Sequence, residues 1–297
     1  MRAAAVAKPQ RDIWSEWLLH RRFGDNAEQM KATMEYLYHV RDRVLEHAGL
    51  RDSETLLDVG CGDGLIAFGA LEISDTVQVI FSDISQDLLD HVQGIARQMN
   101  VLNRCQFIRA PAENLSAMAN ETVDVVTTRS VLIYVKAKQQ AFHEFYRVLK
   151  AEGRLSIFEP INRFGHPEPS NIFWGYDVTP VAELAQKVKE VYQRLQPPES
   201  DPMLDFDERD LIAFAEQAGF REIHLELQVE IKPKGGQMNW DAMLQTAGNP
   251  KIPTLEEAMQ EALSPAERNT FTAYLRPLVE AGQGVTHSAV AYLRAVK

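Results

Sequence analysis

From Leu56 the chain reads Leu56-Leu57-Asp58-Val59-Gly60-Cys61-Gly62-Asp63-Gly64, a short apolar run that closes on three glycines at alternate positions. Nothing else in the sequence restricts the fold so tightly. The run has the length of a strand and the residues after Gly64 have helical spacing, so the glycines fall at a strand-to-helix turn. Glycine there lets backbone approach a ligand with no Cβ in between, and it takes positive φ without strain. In a parallel α/β sheet this turn lies at the carboxyl edge, where ligands bind.

The remaining pattern fits such a sheet. Apolar runs recur at 77–82, 105–109, 123–128 and 154–158, most of them separated by helical segments such as 85–99 and 137–149. Strands alternating with helices imply right-handed βαβ units and a sheet covered on both faces. The expected fold is α/β: a Rossmann-like, doubly wound, mostly parallel seven-stranded sheet with N-terminal helices and helical lid insertions. Two amphipathic segments precede the sheet. One is 11–22, with Ile13, Trp14, Trp17 and Leu18 on one helical face; the other is 27–48, with Met30, Met34, Leu37, Val40, Val44 and Leu45 at three- and four-residue steps and Gly49 as its stop. Residues 160–205 break the rhythm around a helical piece near 179–195. A helix over 207–218, started by Asp207 and Asp210 and stopped by Gly219, and a strand over 222–231 resume it. A second interruption carries helical patterns near 254–263 and 265–281, before a last strand-like run at 286–296. The organisation read from this is a helical cap at 1–50, a core at 51–159, a lid insertion at 160–206, core again at 207–234, a helical insertion at 235–284 and a final core strand at 285–297.

A dinucleotide site calls for G-x-G-x-x-G, so that helix-terminal amides can hold a pyrophosphate. This chain offers G-x-G-x-G with Asp58 two residues before the first glycine, which suits a cationic ligand without phosphate. Asp83, in Phe81-Ser82-Asp83-Ile84, ends the second strand, where a carboxylate can accept both hydroxyls of a ribose or cap the next helix. This spacing resembles motif I of the class I S-adenosylmethionine (SAM) methyltransferases, with Asp58, Gly60, Gly62 and Gly64 in the family positions. Asp83 then matches the acid that binds the SAM ribose, with Ile84 beside it. Ala110-Pro111-Ala112-Glu113 resembles the segment flanking adenine, which makes Ala112 and Glu113 cofactor neighbours. Pro111 departs from the family's Asp-Ala-Glu type there. Arg147-Val148-Leu149-Lys150 followed by Ala151-Glu152-Gly153 resembles the family's RVLKPGG turn. The resemblance covers residues 54–159 and implies SAM as cofactor and in-line methyl transfer to a small organic acceptor at oxygen, nitrogen or carbon. Arg129, just after the fourth strand, can hold a carboxylate of SAM or of the substrate, or form only a surface ion pair. Trp14 belongs to a segment that closes over the cofactor in many relatives. A nicotinamide-dependent oxidoreductase and a non-catalytic SAM-binding protein are the competing readings.

An oxygen nucleophile also needs a general base within hydrogen-bond reach. Glu159, Asn162 and His166 follow the fifth strand. Histidine is the residue type best suited to act as a base near neutral pH, which makes His166 one catalytic candidate, and Glu159 is the other. Tyr134 can hydrogen-bond a substrate. Phe173, Trp174, Tyr176 and Tyr192 in the first insertion, with Trp240, Phe271 and Tyr274 in the second, form either an aromatic roof over a partly apolar acceptor or the core of an accessory layer.

A net charge of -11 and a densest basic cluster of only His20-Arg21-Arg22 count against a nucleic-acid partner. No apolar run is long enough to span a bilayer. The two cysteines, Cys61 and Cys105, make neither a disulfide framework nor a zinc site, and point to a reducing cytosol. The eight histidines lack metal-ligand spacing. Thr127, Thr128 and Arg129 stand where cation-dependent O-methyltransferases place acids, so no metal is expected. The start, Met1 to Lys8, resembles a signal peptide only superficially, its apolar stretch being too short, and reads as a frayed terminus. A homodimer through the helical insertions is compatible with the pattern, although no interface stripe stands out.

Overall fold

A computed structural model describes residues 11–22, 27–234 and 239–297; the stretch read as a frayed terminus lies outside these. The strands are β1 (Thr55–Val59), β2 (Gln78–Asp83), β3 (Cys105–Arg109), β4 (Val123–Arg129), β5 (Leu149–Pro160), β6 (Ile172–Phe173), β7 (Tyr176–Asp177), β8 (Arg221–Pro233) and β9 (Val285–Val296). The helices are α1 (Ile13–Glu16), α2 (Ala27–Ala48), α3 (Leu65–Ile73), α4 (Gln86–Gln98), α5 (Lys138–Val148), α6 (Ala182–Leu195), α7 (Glu208–Ala218), α8 (Trp240–Gln245), α9 (Leu255–Ala262) and α10 (Pro265–Glu280).

Seven strands form one sheet in the order β3-β2-β1-β4-β5-β9-β8. β1 to β5 are parallel, while β9 runs antiparallel to both β5 and β8. The near-continuous apolar runs of β1 and β4 are what a strand covered on both faces requires. On one face Leu57, Val126, Phe142, Phe145 and Leu211 join a core under α5 and α7. On the other Leu56, Val125, Val40, Val44 and Ile66 join one under α2 and α3. The order reverses between β1 and β4, so the switch point of the sheet falls beside the glycine turn. Register brings Val59 level with Ser82 and Thr128, and Arg129 level with Phe158. The glycine turn, Asp83, Arg129 and Glu159 therefore share one edge.

Local signals explain the helix limits. Ser85 caps α4 by accepting the Leu88 amide, so the cap is Ser85 and Asp83 is released from that role. Asp207 and Asp210 make a reciprocal capping box on α7, and Gly219 ends it at φ 100°. The segment 11–22 departs from the single helix expected. It splits into α1 and a π-helical turn over Trp17–Arg21, closed by the Arg22 amide on the Trp17 carbonyl at 2.9 Å. Ile13, the first residue of α1, is 56% exposed and does not share a buried face with the tryptophans. The two insertions, far apart in sequence, share one core in which Phe173, Tyr176, Val188, Trp240, Leu255 and Phe271 are buried together.

Candidate active site

The glycine turn is held open from both sides. The Cys61 amide donates to the Ser82 carbonyl at 2.9 Å, and the Gly62 amide donates to Asp83 Oδ2 at 2.9 Å. Gly60 has φ 66°, and a Cβ built on it would lie 2.4 Å from Val131 Cγ2. Alanine there meets both backbone strain and a packed valine. Gly64 takes the N-cap position of α3 and lies off the cavity.

Asp83 is 6% exposed, yet borders a cavity of about 550 Å³. That volume suits a cofactor with a small second ligand. Its second oxygen accepts the Ser85 amide at 2.9 Å. Burial raises its pKa despite the two amides, so a ligand donating hydrogen bonds to the carboxylate would favour its ionised form. Ile84, Ala110, Pro111, Ala112 and Glu113 line the wall beside it. Arg129, with Ser130 and Val131, closes the opposite side, and its Nη2 lies 3.9 Å from Asp63 Oδ1.

Asp58 takes no part in the wall. It is 2% exposed, accepts the Thr127 hydroxyl at 3.0 Å and ties β1 to β4 from inside. Burial pushes its pKa up to about 7. Glu159 is likewise enclosed. Its carboxylate accepts the amides of Val131, Leu132 and Ile133 at 2.8, 2.9 and 3.3 Å, and the Thr128 hydroxyl at 3.3 Å. Burial again raises the pKa to about 7. These bonds fold the turn that presents Val131, Ile133, Tyr134 and Val135 to the cavity. Glu159 shapes that wall from behind and is not one of the residues lining it. His166 is exposed and lies outside the lining. Asn162, from the same loop, does reach it, and its Nδ2 is buried with no hydrogen-bond partner among the described residues.

The far end is roofed by the N-terminal segment. Asp12 caps α1 through the Trp14 and Ser15 amides at 3.0 and 2.9 Å and accepts the Ser85 hydroxyl at 2.6 Å, which docks the segment on α4. Trp17 Nε1 donates to the Ala247 carbonyl at 2.8 Å, the Ala247 amide donates to the Arg21 carbonyl at 3.3 Å, and Arg21 pairs with Glu257 at 2.6 Å. Trp14 meets Tyr134 edge-on at 4.9 Å between ring centres. Trp14, Trp17, Leu18 and Arg22 line the cavity together with Met203 and Thr246 to Gly248.

The aromatic roof is thus supplied from before the sheet. None of Phe173, Trp174, Tyr176, Tyr192, Trp240, Phe271 or Tyr274 lines the cavity; they pack in or against the accessory core. Sequence reasoning named Trp14 and weighed Trp17 with it. It missed Met203, Ser130 and Thr246 to Gly248, which carry no motif and reach the site only through long-range packing.

A doubly wound sheet with its ligand cavity at the switch point, entered by a glycine turn and a buried acid, defines a Rossmann-like protein. Residues 57–157 match a family model described as a methyltransferase domain. The ubiquinone/menaquinone biosynthesis C-methyltransferase UbiE of Klebsiella pneumoniae is 29% identical over 187 residues, 60% of this chain and 71% of that protein. UbiE of an Enterobacter species is 33% identical over 116 residues, 39% of this chain and 46% of that protein. Among solved structures, the YcgJ protein of Bacillus subtilis superposes with a TM-score of 0.54 at 17% identity, covering 88% of this chain and 98% of that one. The [4+2]-cyclase SpnF superposes at 0.52 and 20% identity, covering 94% and 88%. At those identities the two structures share the fold. Residues 57–157 thus match a methyltransferase domain, and the sheet around them has the fold of the class I SAM-dependent methyltransferases.

Proposed function

We propose that this protein binds SAM at the glycine-turn end of the cavity and transfers its methyl group to a small, partly apolar organic acceptor held under the N-terminal roof. The observation that carries the reading is a single cavity that joins Gly60, Gly62, Asp83 and Ala112 at one end to Trp14, Trp17 and Tyr134 at the other. The cradle fits the cofactor. Asp83 keeps lone pairs for two ribose hydroxyls after accepting two amides, and Ile84 with Ala112 offers an apolar slot for adenine. Gly60 and Gly62 leave room for the chain linking ribose to sulfur, and Arg129 is placed for a carboxylate. When bound, SAM supplies a methyl already activated by its sulfonium.

What the protein adds is alignment and dryness. The N-terminal roof, tied to α4 and to Ala247, excludes water from the reacting centre. Tyr134 and Asn162 orient the acceptor, the latter through a donor that has no partner among the described residues. Glu159 holds the Tyr134 turn in place. Neither of the two catalytic candidates from the sequence lines the cavity, which favours an acceptor that is nucleophilic without a base from either. Oxygen, nitrogen and carbon acceptors remain open on this geometry. The C-methyltransferase relatives of quinone biosynthesis make an electron-rich ring carbon the first to test. Sharing a fold with a protein described as a cyclase supports a second reading, in which the site serves a purpose other than methyl transfer.

Calorimetric titration with SAM and with NADH tests the cofactor. Binding of SAM and not NADH is expected, weakened at least about 30-fold in Asp83→Ala, the loss of hydrogen bonds to a charged group being about 2 kcal/mol. NADH binding in its place returns the chain to the oxidoreductase reading. SAM binding with no turnover across an acceptor screen selects the non-transferring one.

A further inference from the structure

β8 is the edge strand of the sheet and one of its longest, and most of its side chains are exposed. Its faces are distinct. Glu226 is held by Arg43 and by His47, at 3.4 Å, so the even-numbered residues turn toward α2. On the other face Ile223 and Leu225 pack against the core that includes Ala215 and Phe220. Beyond α7 that face is uncovered by any of the described residues, with Leu227 42%, Val229 45% and Ile231 62% exposed. An open edge beside an apolar stripe is a template for strand pairing.

The sequence of β8 is complementary to itself read backwards. We infer that β8 pairs antiparallel with β8 of a second copy of this chain across a two-fold axis at Leu227, joining the two sheets edge to edge. In that register Leu227 faces Leu227, Val229 faces Leu225 and Ile231 faces Ile223 on one face. Gln228 faces Glu226 and Glu230 faces His224 on the other. No like charges stand opposite, whereas an axis at Glu226 or at Gln228 sets glutamate against glutamate. An axis at Val229 also separates charges, but it brings Pro233, which has no N–H, opposite Leu225. The ends of the paired run are marked as well. Glu222 sits at φ 51° where the register with β9 shifts, a bulge that stops pairing on one side, and Pro233 stops it on the other. Such an isologous contact is the commonest way for a chain to form a closed oligomer.

Cysteine cross-linking of the full chain reads the register. Residues directly opposite in an antiparallel pair lie about 4.5–5.5 Å apart at Cα, within disulfide range. Leu227→Cys should give a disulfide-linked dimer on mild oxidation. Ile223→Cys alone should not, while a mixture of Ile223→Cys and Ile231→Cys should. In sedimentation, Leu227→Lys sets like charges face to face and should raise the dimer Kd at least about tenfold with an unchanged Tm, the site being exposed. A wild-type chain that sediments as a monomer through the micromolar range overturns the inference. So does a dimer indifferent to Leu227→Lys that gives no Leu227→Cys cross-link.

Discussion

At the glycine-turn end of the cavity, the wall comes from residues 60–62, 83–84 and 110–113, close in sequence and fixed by neighbouring parallel strands. At the roofed end, Trp14 and Trp17, Tyr134, Met203 and Ala247 come from segments that meet only in the folded chain. The first end is made of backbone and a carboxylate braced by backbone, so its shape survives most side-chain changes. The second is made of side chains latched to one another, and each latch is a separate point of failure. The lesson is that a fixed cofactor can be met by local geometry, whereas an acceptor site is assembled from whatever the added segments bring.

The sharpest way to break the contrast lies between the two ends, at Glu159. Glu159→Ala leaves three amides, those of Leu132 and Ile133 buried, without an acceptor and should lower stability by about 3 kcal/mol or more, read as a fall in Tm. Glu159→Gln, which keeps one acceptor oxygen, should recover part of that. If Glu159 instead served as a base, the variants would lose turnover at unchanged Tm. A smaller effect tests the latch. Trp17→Phe keeps an aromatic ring and deletes the donor to Ala247, a change of about 1 kcal/mol. SAM release in stopped flow should quicken about fivefold, with the Tm hardly moved. A larger loss in equilibrium affinity than in release rate would show that Trp17 contacts the ligand more than it closes the roof.

The slightest effect is in pH. Asp58 and Glu159 both have folded pKa values raised to about 7 by burial. The folded state therefore holds protons that the unfolded chain has already lost at those pH values. Stability from these groups is fully present below the ordinary carboxylate range and declines as pH rises toward about 7. Asp58→Asn, which retains an oxygen for the Thr127 hydroxyl, should flatten the Tm–pH curve over that interval. An unchanged slope would mean that Asp58 stays ionised throughout.

The division between the two ends is also the division in what the sequence discloses. β1, β3 and the span of α2 are legible because period and breakers act locally, and the glycine turn is legible because few residues tolerate its backbone. Asp83 is readable for the same reason, since it ends a strand one position from the loop it braces. Asp58 and Glu159 sit in motif-like positions, but which way a strand residue faces, toward the cavity or into the sheet, is decided by register and burial. The exposed His166 and the cavity-lining Asn162 belong to one loop, and four residues of chain decide between them. The roof was hidden for a different reason. Trp17 and Ala247 are 230 positions apart, and no periodicity encodes such a meeting. The insertion aromatics could be read as roof or as core because aromatics suit both, and the accessory core claimed them.

The position of β9 has a consequence for how the chain is made. It lies between β5 and β8, yet it is synthesised after both. While α8, α9 and α10 are being translated, β8 still lacks β9, its one partner in the sheet, so both of its edges stay unpaired. The sheet cannot close until residues 285–296 emerge and slide into a slot whose two walls are already waiting. A nascent chain stalled before that point presents a ready-made binding surface to chaperones, or to a stalled sibling on the same message.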